Sequence, residues 1–289
     1  MQRTFNKALR KPYFRNGSLG VDIATASIWT PLELGSGLKL WLDANDSATI
    51  TLNVTTVSQW NDKSGTGNHV SNASAGGQPT YQATGFNSLP TVSFDGSGDV
   101  LGKSSVIDLP NTGDLFYGVV YKMDTTSGIW NWIVGHRSAV NTSTNGSIGI
   151  QRAGGDNQIG THNTDVVDVR VKVDVTSLTV DRIATMGRTG GTNGNGGTIT
   201  VTATDPSQPS YLTSGSQGWT SSSGAFLQIG GRQQGGTGFF DGQISEVIAC
   251  NRNLTTDERQ KFEGYLAWKW NVVSTLPADH PYKNSPPTA

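Results

Sequence analysis

A retaining glycosidase needs two carboxyl groups about 5–5.5 Å apart, one as nucleophile and one as acid/base. Only four glutamates are present, Glu33, Glu246, Glu258 and Glu263. Glu258 stands three residues after Thr255, where a helix cap would use it, and Glu263 is expected on that helix's surface. Asp165 and Asp168 make a pair in sequence, but on a strand their odd spacing sends them to opposite faces. Neither GxSxG nor HExxH occurs, and His69, His136, His162 and His280 are too scattered to suggest a zinc cluster. Cys250, the single cysteine, ends an apolar strand and is expected to be buried and inert; standing alone, it excludes an intrachain disulfide or a Cys-based metal centre. The expected catalytic set is therefore empty.

Binding chemistry has more to work with. A pyranose stacks on an exposed indole while amides and carboxylates take its hydroxyls, and Trp130, Trp132 and Trp219 are the candidate platforms. Trp130 and Trp132 share a face if their stretch is a strand. Trp41 and Trp60 are expected in the core. The glycine-rich stretch 190–197 lacks a Walker lysine and GxGxxG spacing and leads into a strand, so it reads as a hairpin loop rather than a phosphate cradle.

Charge is unevenly placed. The chain carries a net charge of -1, yet its first thirty residues hold Arg3, Lys7, Arg10, Lys11 and Arg15 against Asp22 alone, leaving the remainder negative. The body thus has no global attraction for nucleic acid or anionic lipid. Residues 1–30 read as a basic arm broken by Pro12 and Asn16-Gly17, with Phe5, Tyr13 and Phe14 as aromatic anchors suited to a protein neighbour. No apolar run reaches the length of a membrane span and no signal-peptide block opens the chain, so a protein finished in the cytosol is expected.

The elements that must position these groups are mostly strands. Gly, Ser, Thr and Asn make up about two-fifths of the chain, a composition rich in turns and poor for long helices. Period-2 alternation is clearest over 167–175, where valines at odd positions alternate with Asp168, Arg170, Lys172 and Asp174. Further strands are expected at 38–42, 91–94, 116–123, 130–134, 180–186, 198–204, 226–229 and 243–250, with glycine-bearing turns between them. One helix is expected over 256–270, capped by Thr255 and Glu258, with Phe262, Tyr265, Leu266 and Trp270 as its buried stripe. Prolines then stop it, and 277–289 is expected to form an extended tail. The body is accordingly 31–276.

Four segments carry a family resemblance: Leu40-Trp41-Leu42-Asp43-Ala44; residues 60–68, Trp-Asn-Asp-Lys-Ser-Gly-Thr-Gly-Asn; residues 91–96, Thr-Val-Ser-Phe-Asp-Gly; and residues 240–248 running through 254–259 into Gly264-Tyr265-Leu266-Ala267-Trp268-Lys269. With Leu276 to Tyr282 after the helix, this ordered set resembles the concanavalin A-like, laminin-G-type jelly rolls of tailed-phage structural proteins. The resemblance implies an all-β sandwich of two antiparallel sheets with one C-terminal helix and an extended N-terminal arm. The Glu-x-Asp-x-x-Glu pattern of the fold's laminarinase-like branch is missing. Many such modules hold calcium between rim loops, which makes Asp62, Asn68, Asp95 and Asp99 candidate ligands; their competing role is to satisfy turn N–H groups. No other cofactor is implied.

The expected function is then a non-enzymatic virion protein, a capsid decoration or cement protein assembled in the host cytoplasm and docked by its arm on a major capsid or other lattice protein, and homo-oligomeric. The alternative is a tail or fibre adhesin binding a surface glycan, and the third reading is a glycoside hydrolase. The same body serves all three, because fold does not select function.

Overall fold

The computed structural model describes residues 27–289 except 104, 106, 111–112, 125–129, 139–146, 154–157, 162–170, 191–196, 206, 208–211, 217–224 and 232–237. The arm residues Arg3, Phe5, Lys7, Arg10, Lys11, Tyr13, Phe14 and Arg15 lie outside the described residues, as do His162, Asp165, Asp168 and Trp219.

The strands in chain order are β1 (Leu38–Asp43), β2 (Ile50–Asn53), β3 (Thr56–Trp60), β4 (Val70–Ser71), β5 (Thr80–Gln82), β6 (Thr91–Asp95), β7 (Leu101–Gly102), β8 (Leu115–Met123), β9 (Trp130–Ser138), β10 (Ser147–Ala153), β11 (Gln158–Thr161), β12 (Lys172–Asp174), β13 (Arg182–Thr189), β14 (Thr198–Ala203), β15 (Leu212–Ser216), β16 (Ala225–Ile229) and β17 (Asp241–Cys250), followed by the helix α1 (Thr256–Lys269). The pairings are antiparallel and build an all-β sandwich. One layer runs β15–β14–β13–β8–β17, and the far edge of β17 is shared between β6, along 241–244, and β1, along 246–250. The other layer runs β12–β11–β10–β9–β16–β7. At one side β7 pairs with β4, β4 with β3, β3 with β2 and β5, and β5 with β6, so the ladder passes from one layer to the other.

Alternation accounts for the layering. On β12 Lys172 and Asp174 are exposed while Val171, Val173 and Val175 point inward. β8 is different, because it is buried on both faces. One face carries Tyr117, Val119 and Tyr121 between the layers, where the Tyr117 hydroxyl lies 2.6 Å from His136 Nδ1 on β9. The other carries Phe116 and Gly118 against α1. Phe116 meets Phe262 edge-on at 5.3 Å, and a Cβ on Gly118 would overlap the Phe262 ring. Glycine at 118 is thus what lets the helix lie flat on the sheet.

The helix starts where expected. Thr255 Oγ1 accepts from Glu258 N–H, Glu258 Oε2 accepts from Thr255 N–H at 3.0 Å, and Arg252 clamps the same carboxylate. Arg252's hydrogen bonds hold that carboxyl down at about 2. Phe262, Tyr265, Leu266 and Trp270 are buried.

Two expectations fail around this helix. Glu263 is not on the surface but fully buried, because 277–289 folds over the helix instead of extending away. Successive turns bring His280 Nε2 to 3.2 Å from Glu263 Oε2, while Arg259 and Thr202 reach Oε1 at 2.7 and 3.0 Å. The tail then meets the start of the body: Trp29 N–H donates to Pro287 O and Ala289 N–H to Ser27 O.

Replacing Gly118 by Val forces Phe262 out of its seat, and urea unfolding should register a loss of about 1–3 kcal/mol, typical of overpacking. An unchanged midpoint would mean that α1 does not rest on β8.

Candidate functional site

The Trp60-to-Asn68 motif closes the free edge of β1. Asp62 Oδ1 accepts from Trp41 N–H and Ser64 N–H, both at 2.9 Å, and Oδ2 accepts from Ser64 Oγ, Thr66 Oγ1 and Asn68 N–H at 2.7, 3.0 and 2.9 Å. Lys63 N–H donates to Trp41 O, and Asn68 Nδ2 and Thr66 Oγ1 donate to Lys39 O. Edge main-chain groups that would otherwise stay open are taken up by one loop. The carboxylate of Asp62 and the amide of Asn68 thus serve the turn and the strand edge. His69, whose Nδ1 accepts from Asp62 N–H, braces the same loop. Among the described residues, no group of three or more His, Cys, Asp or Glu is arranged to hold a metal ion, so Asp62 does not join Asp95 and Asp99 in a calcium site.

Glu246, the next carboxylate, is fully buried beneath α1 and satisfied by four donors: Trp41 Nε1 and Tyr265 Oη on Oε1 at 2.7 and 3.0 Å, Lys269 Nζ and Trp270 Nε1 on Oε2 at 2.7 and 2.6 Å. Lys269 also reaches Asp43 at 2.9 Å, and Lys63 binds Asp43 and Asp46 at 2.9 Å each. Burial raises Glu246, partly offset by Lys269. Burial also acts upward on Asp43, but Lys269 and Lys63 overcome it and hold that carboxyl below its ordinary value. Three acids and two lysines are linked in one cluster, Glu246 at its buried end and Lys63 with Asp46 at its partly exposed end. No face is left for a substrate, so this is a structural node.

At one corner of the sandwich the β6–β7 loop, the start of β9 and the chain leading into β17 converge. Trp132 N–H donates to Gly238 O and Asn131 Nδ2 to Phe239 O, which lays 238–240 along β9. Gly231 sits under the β6–β7 loop; its missing Cβ would stand 3.3 Å from Asp99 O. Asp95 faces Asp241 across the β6–β17 ladder. In the loop, Asp95 accepts from Ser97 N–H and Oγ and from Gly98 N–H, and Asp99 Oδ2 accepts from Asp95 N–H at 3.1 Å.

These two aspartates are pushed apart. Burial, reinforced by the negative charge of Asp95, lifts Asp99 to about 6. For Asp95 the upward pull of burial is outweighed by its serine and backbone donors, which hold it below the ordinary carboxylate range.

Trp132 corrects an expectation. It is 1% exposed, with Nε1 donating to Gln228 O at 3.3 Å, so it offers no ring face to a sugar. Alternation placed it on a face with Trp130, but the chain at 238–240 packs beside it. Trp132 does not belong to the hydrophobic cluster that includes Ile133 and Val134. Trp130, two residues earlier in register with Ala153, lies at the end of that strand, at the corner itself. Two buried side-chain oxygens, Asn131 Oδ1 on β9 and Gln228 Oε1 on the paired β16, have no hydrogen-bond donor among the described residues. Asn131, Gln228, Asp95 paired with Asp99, and the 238–240 strap were not assembled by sequence reasoning. Only the aspartates carried a signal there, as candidate calcium ligands or turn residues. Cys250 is buried, with burial pushing its thiol up to about 12.

No protein-family model matches the chain, and no curated protein matches it in sequence. Solved structures do share its fold. It is similar to Trypanosoma rangeli sialidase in complex with 2,3-difluorosialic acid, with a TM-score of 0.52 and 14% identity over 81% of this chain and 35% of the sialidase. A GH54 α-L-arabinofuranosidase soaked with 4-nitrophenyl α-L-arabinofuranoside matches with a TM-score of 0.51 and 12% identity, over 86% of this chain and 62% of that one. Domain 4 of AbnA, a GH43 extracellular arabinanase from Geobacillus stearothermophilus, in complex with arabinotriose, matches with a TM-score of 0.51 and 11% identity, over 76% of this chain and 95% of that domain. The chain spans about a third of the length of the sialidase. At these identities the likeness is one of fold.

The comparisons correct two expectations. A non-enzymatic phage virion protein, whether capsid decoration or cement, was inferred from resemblance, but these β-sandwich neighbours are glycoside hydrolases and a sugar-bound arabinanase domain, with no link to a virion. The exclusion of enzymatic activity falls with it, because the fold found here is one that glycoside hydrolases contain.

Two measurements check the site as described. Glu246→Ala leaves Lys269 and two indoles short of an acceptor, and a loss of about 3–5 kcal/mol in urea unfolding is expected, as for a broken buried pair. Asp99 is raised in the fold from about 3.9 in an unfolded chain. Between about pH 4 and 6 the folded state therefore keeps a proton that the unfolded state has lost, and stability falls as pH rises. Asp99→Asn should lose less Tm than the parent between pH 4 and pH 7; equal losses would show that the carboxyl is not raised.

Proposed function

We propose that this chain is a carbohydrate-binding β-sandwich that takes a neutral oligosaccharide at the corner formed by Trp130, the Asp95–Asp99 loop and residues 238–240. The observation that carries this reading is the match to AbnA domain 4, a complete domain with arabinotriose bound, which is covered almost from end to end. Sugar sites of this kind combine an aromatic platform with a few fixed polar groups; Trp130 opens β9, and the β6–β7 loop carries the carboxylates of Asp95 and Asp99. The negative body gives no general attraction for an anionic sugar, which favours arabinotriose over a sialoside as the first ligand to try.

One observation supports a second reading, hydrolysis. Asp99 raised to about 6 beside an ionised Asp95 is the division of roles that an acid and a base require.

Calorimetric titration with arabinotriose tests the binding reading. Saturable binding is expected, weakened at least about tenfold, or 1.4 kcal/mol, by Trp130→Ala with Tm unchanged. No heat with arabinotriose, arabinoxylo-oligosaccharide or sialyllactose would reject it. Reducing sugar released in the same mixtures, and lost in Asp99→Asn, would establish the hydrolytic reading instead.

A further inference from the structure

The strand edges of this sandwich are treated unequally. β1 has its open side closed by the Asp62–Asn68 loop, and β12 carries exposed Lys172 and Asp174. Charge and loop cover are the usual ways to keep an edge from pairing with another chain. β2 has neither. Among the described residues it pairs with β3 alone, and Thr51, Leu52 and Asn53 are all exposed. From Ser47 to Gln59 the sequence has no charge, no glycine and no proline.

The side chains along β2 continue the core outward. Ile50 packs against the core; Leu52, two residues on, is 45% exposed, and Val54 at the β2–β3 turn is 89% exposed. Val54 also has φ +61°, a left-handed conformation that Gly, Asn or Asp takes easily in a hairpin turn and a β-branched residue does not. An apolar, strained residue stands at the tip of a bare edge, where a polar turn residue would relieve the backbone.

We propose that β2 is a self-association edge, at which two copies of this chain pair their β2 strands antiparallel about a two-fold axis and bury Leu52 and Val54 between them. A second copy suits this edge because two-fold pairing sets this short segment against itself, so a charge in it would lie within a few residues of its own image; a segment free of charge has no such penalty. The ladder adds few main-chain bonds and covers well under the roughly 1,600 Å² of a standard interface, so the dimer dissociates on dilution.

Sedimentation equilibrium of the full chain from about 1 µM to about 1 mM tests this without any sugar present. Mass should climb from 30.6 kDa toward twice that value. Leu52→Lys should raise Kd at least about tenfold. Val54→Asn should raise Tm by relieving the turn and yet weaken association, a combination that a purely structural Val54 would not produce. In a third variant, Leu52→Cys, oxidation should give a disulfide-linked dimer, with buried Cys250 not competing. A chain that stays at monomer mass throughout, or a Leu52→Lys variant with the parent's Kd, overturns the proposal.

Discussion

A carboxylate removed from water must be met by donors on every side, and the closed part of this fold is organised around that requirement at Glu246. Its four donors come from β1, through Trp41, and from α1 and the residue after it, through Tyr265, Lys269 and Trp270. Because Lys269 and Lys63 are shared with Asp43 on β1, strand, loop and helix can settle in only one relative position if all four charges are to be matched. Removing any partner leaves a buried charge, so the node enforces register more than it adds net stability.

The segments Leu40 to Ala44, Trp60 to Asn68, Ser245 to Val247 and Gly264 to Trp270 are far apart in sequence and meet at this node or at the β1 edge beside it. Asp62 does for the main chain of β1 what Lys269 does for its Asp43 side chain: each supplies partners that water would otherwise supply. The Glu263, Arg259 and His280 cluster repeats the device on the far side of α1, which is why the tail wraps the helix rather than trailing from it. Both clusters tie α1 down, and Glu246 and Glu263 at their centres are fully buried.

The corner at Trp130 follows another logic. Among the described residues no buried ion pair ties it together; main-chain bonds from 238–240 and short Asx turns do. Asp95 is held by its turn at the surface while Asp99 is buried, and the burial of one beside the charge of the other separates their protonation states.

Local chemistry was readable in the sequence wherever neighbours in the chain settle it. Alternating valines around β12, the Thr255–Glu258 box, the stripe on α1 and a buried Cys250 all follow from spacing and side-chain type, and so does the all-β class. The short strands β2, β3, β4, β5 and β7 were not legible, since two to five residues carry too little alternation to stand out from a turn. Nor could spacing show that Glu263 is buried, that Trp132 is covered, or that Asp62 serves an edge, because each outcome depends on a segment brought from elsewhere: the 277–289 tail, the 238–240 strap and β1. Residue type and period determine which groups can pair and which face they share. Which of them end up dry, and beside whom, was decided only by the tertiary structure, because desolvation is a property of everything packed around a group and not of the group itself.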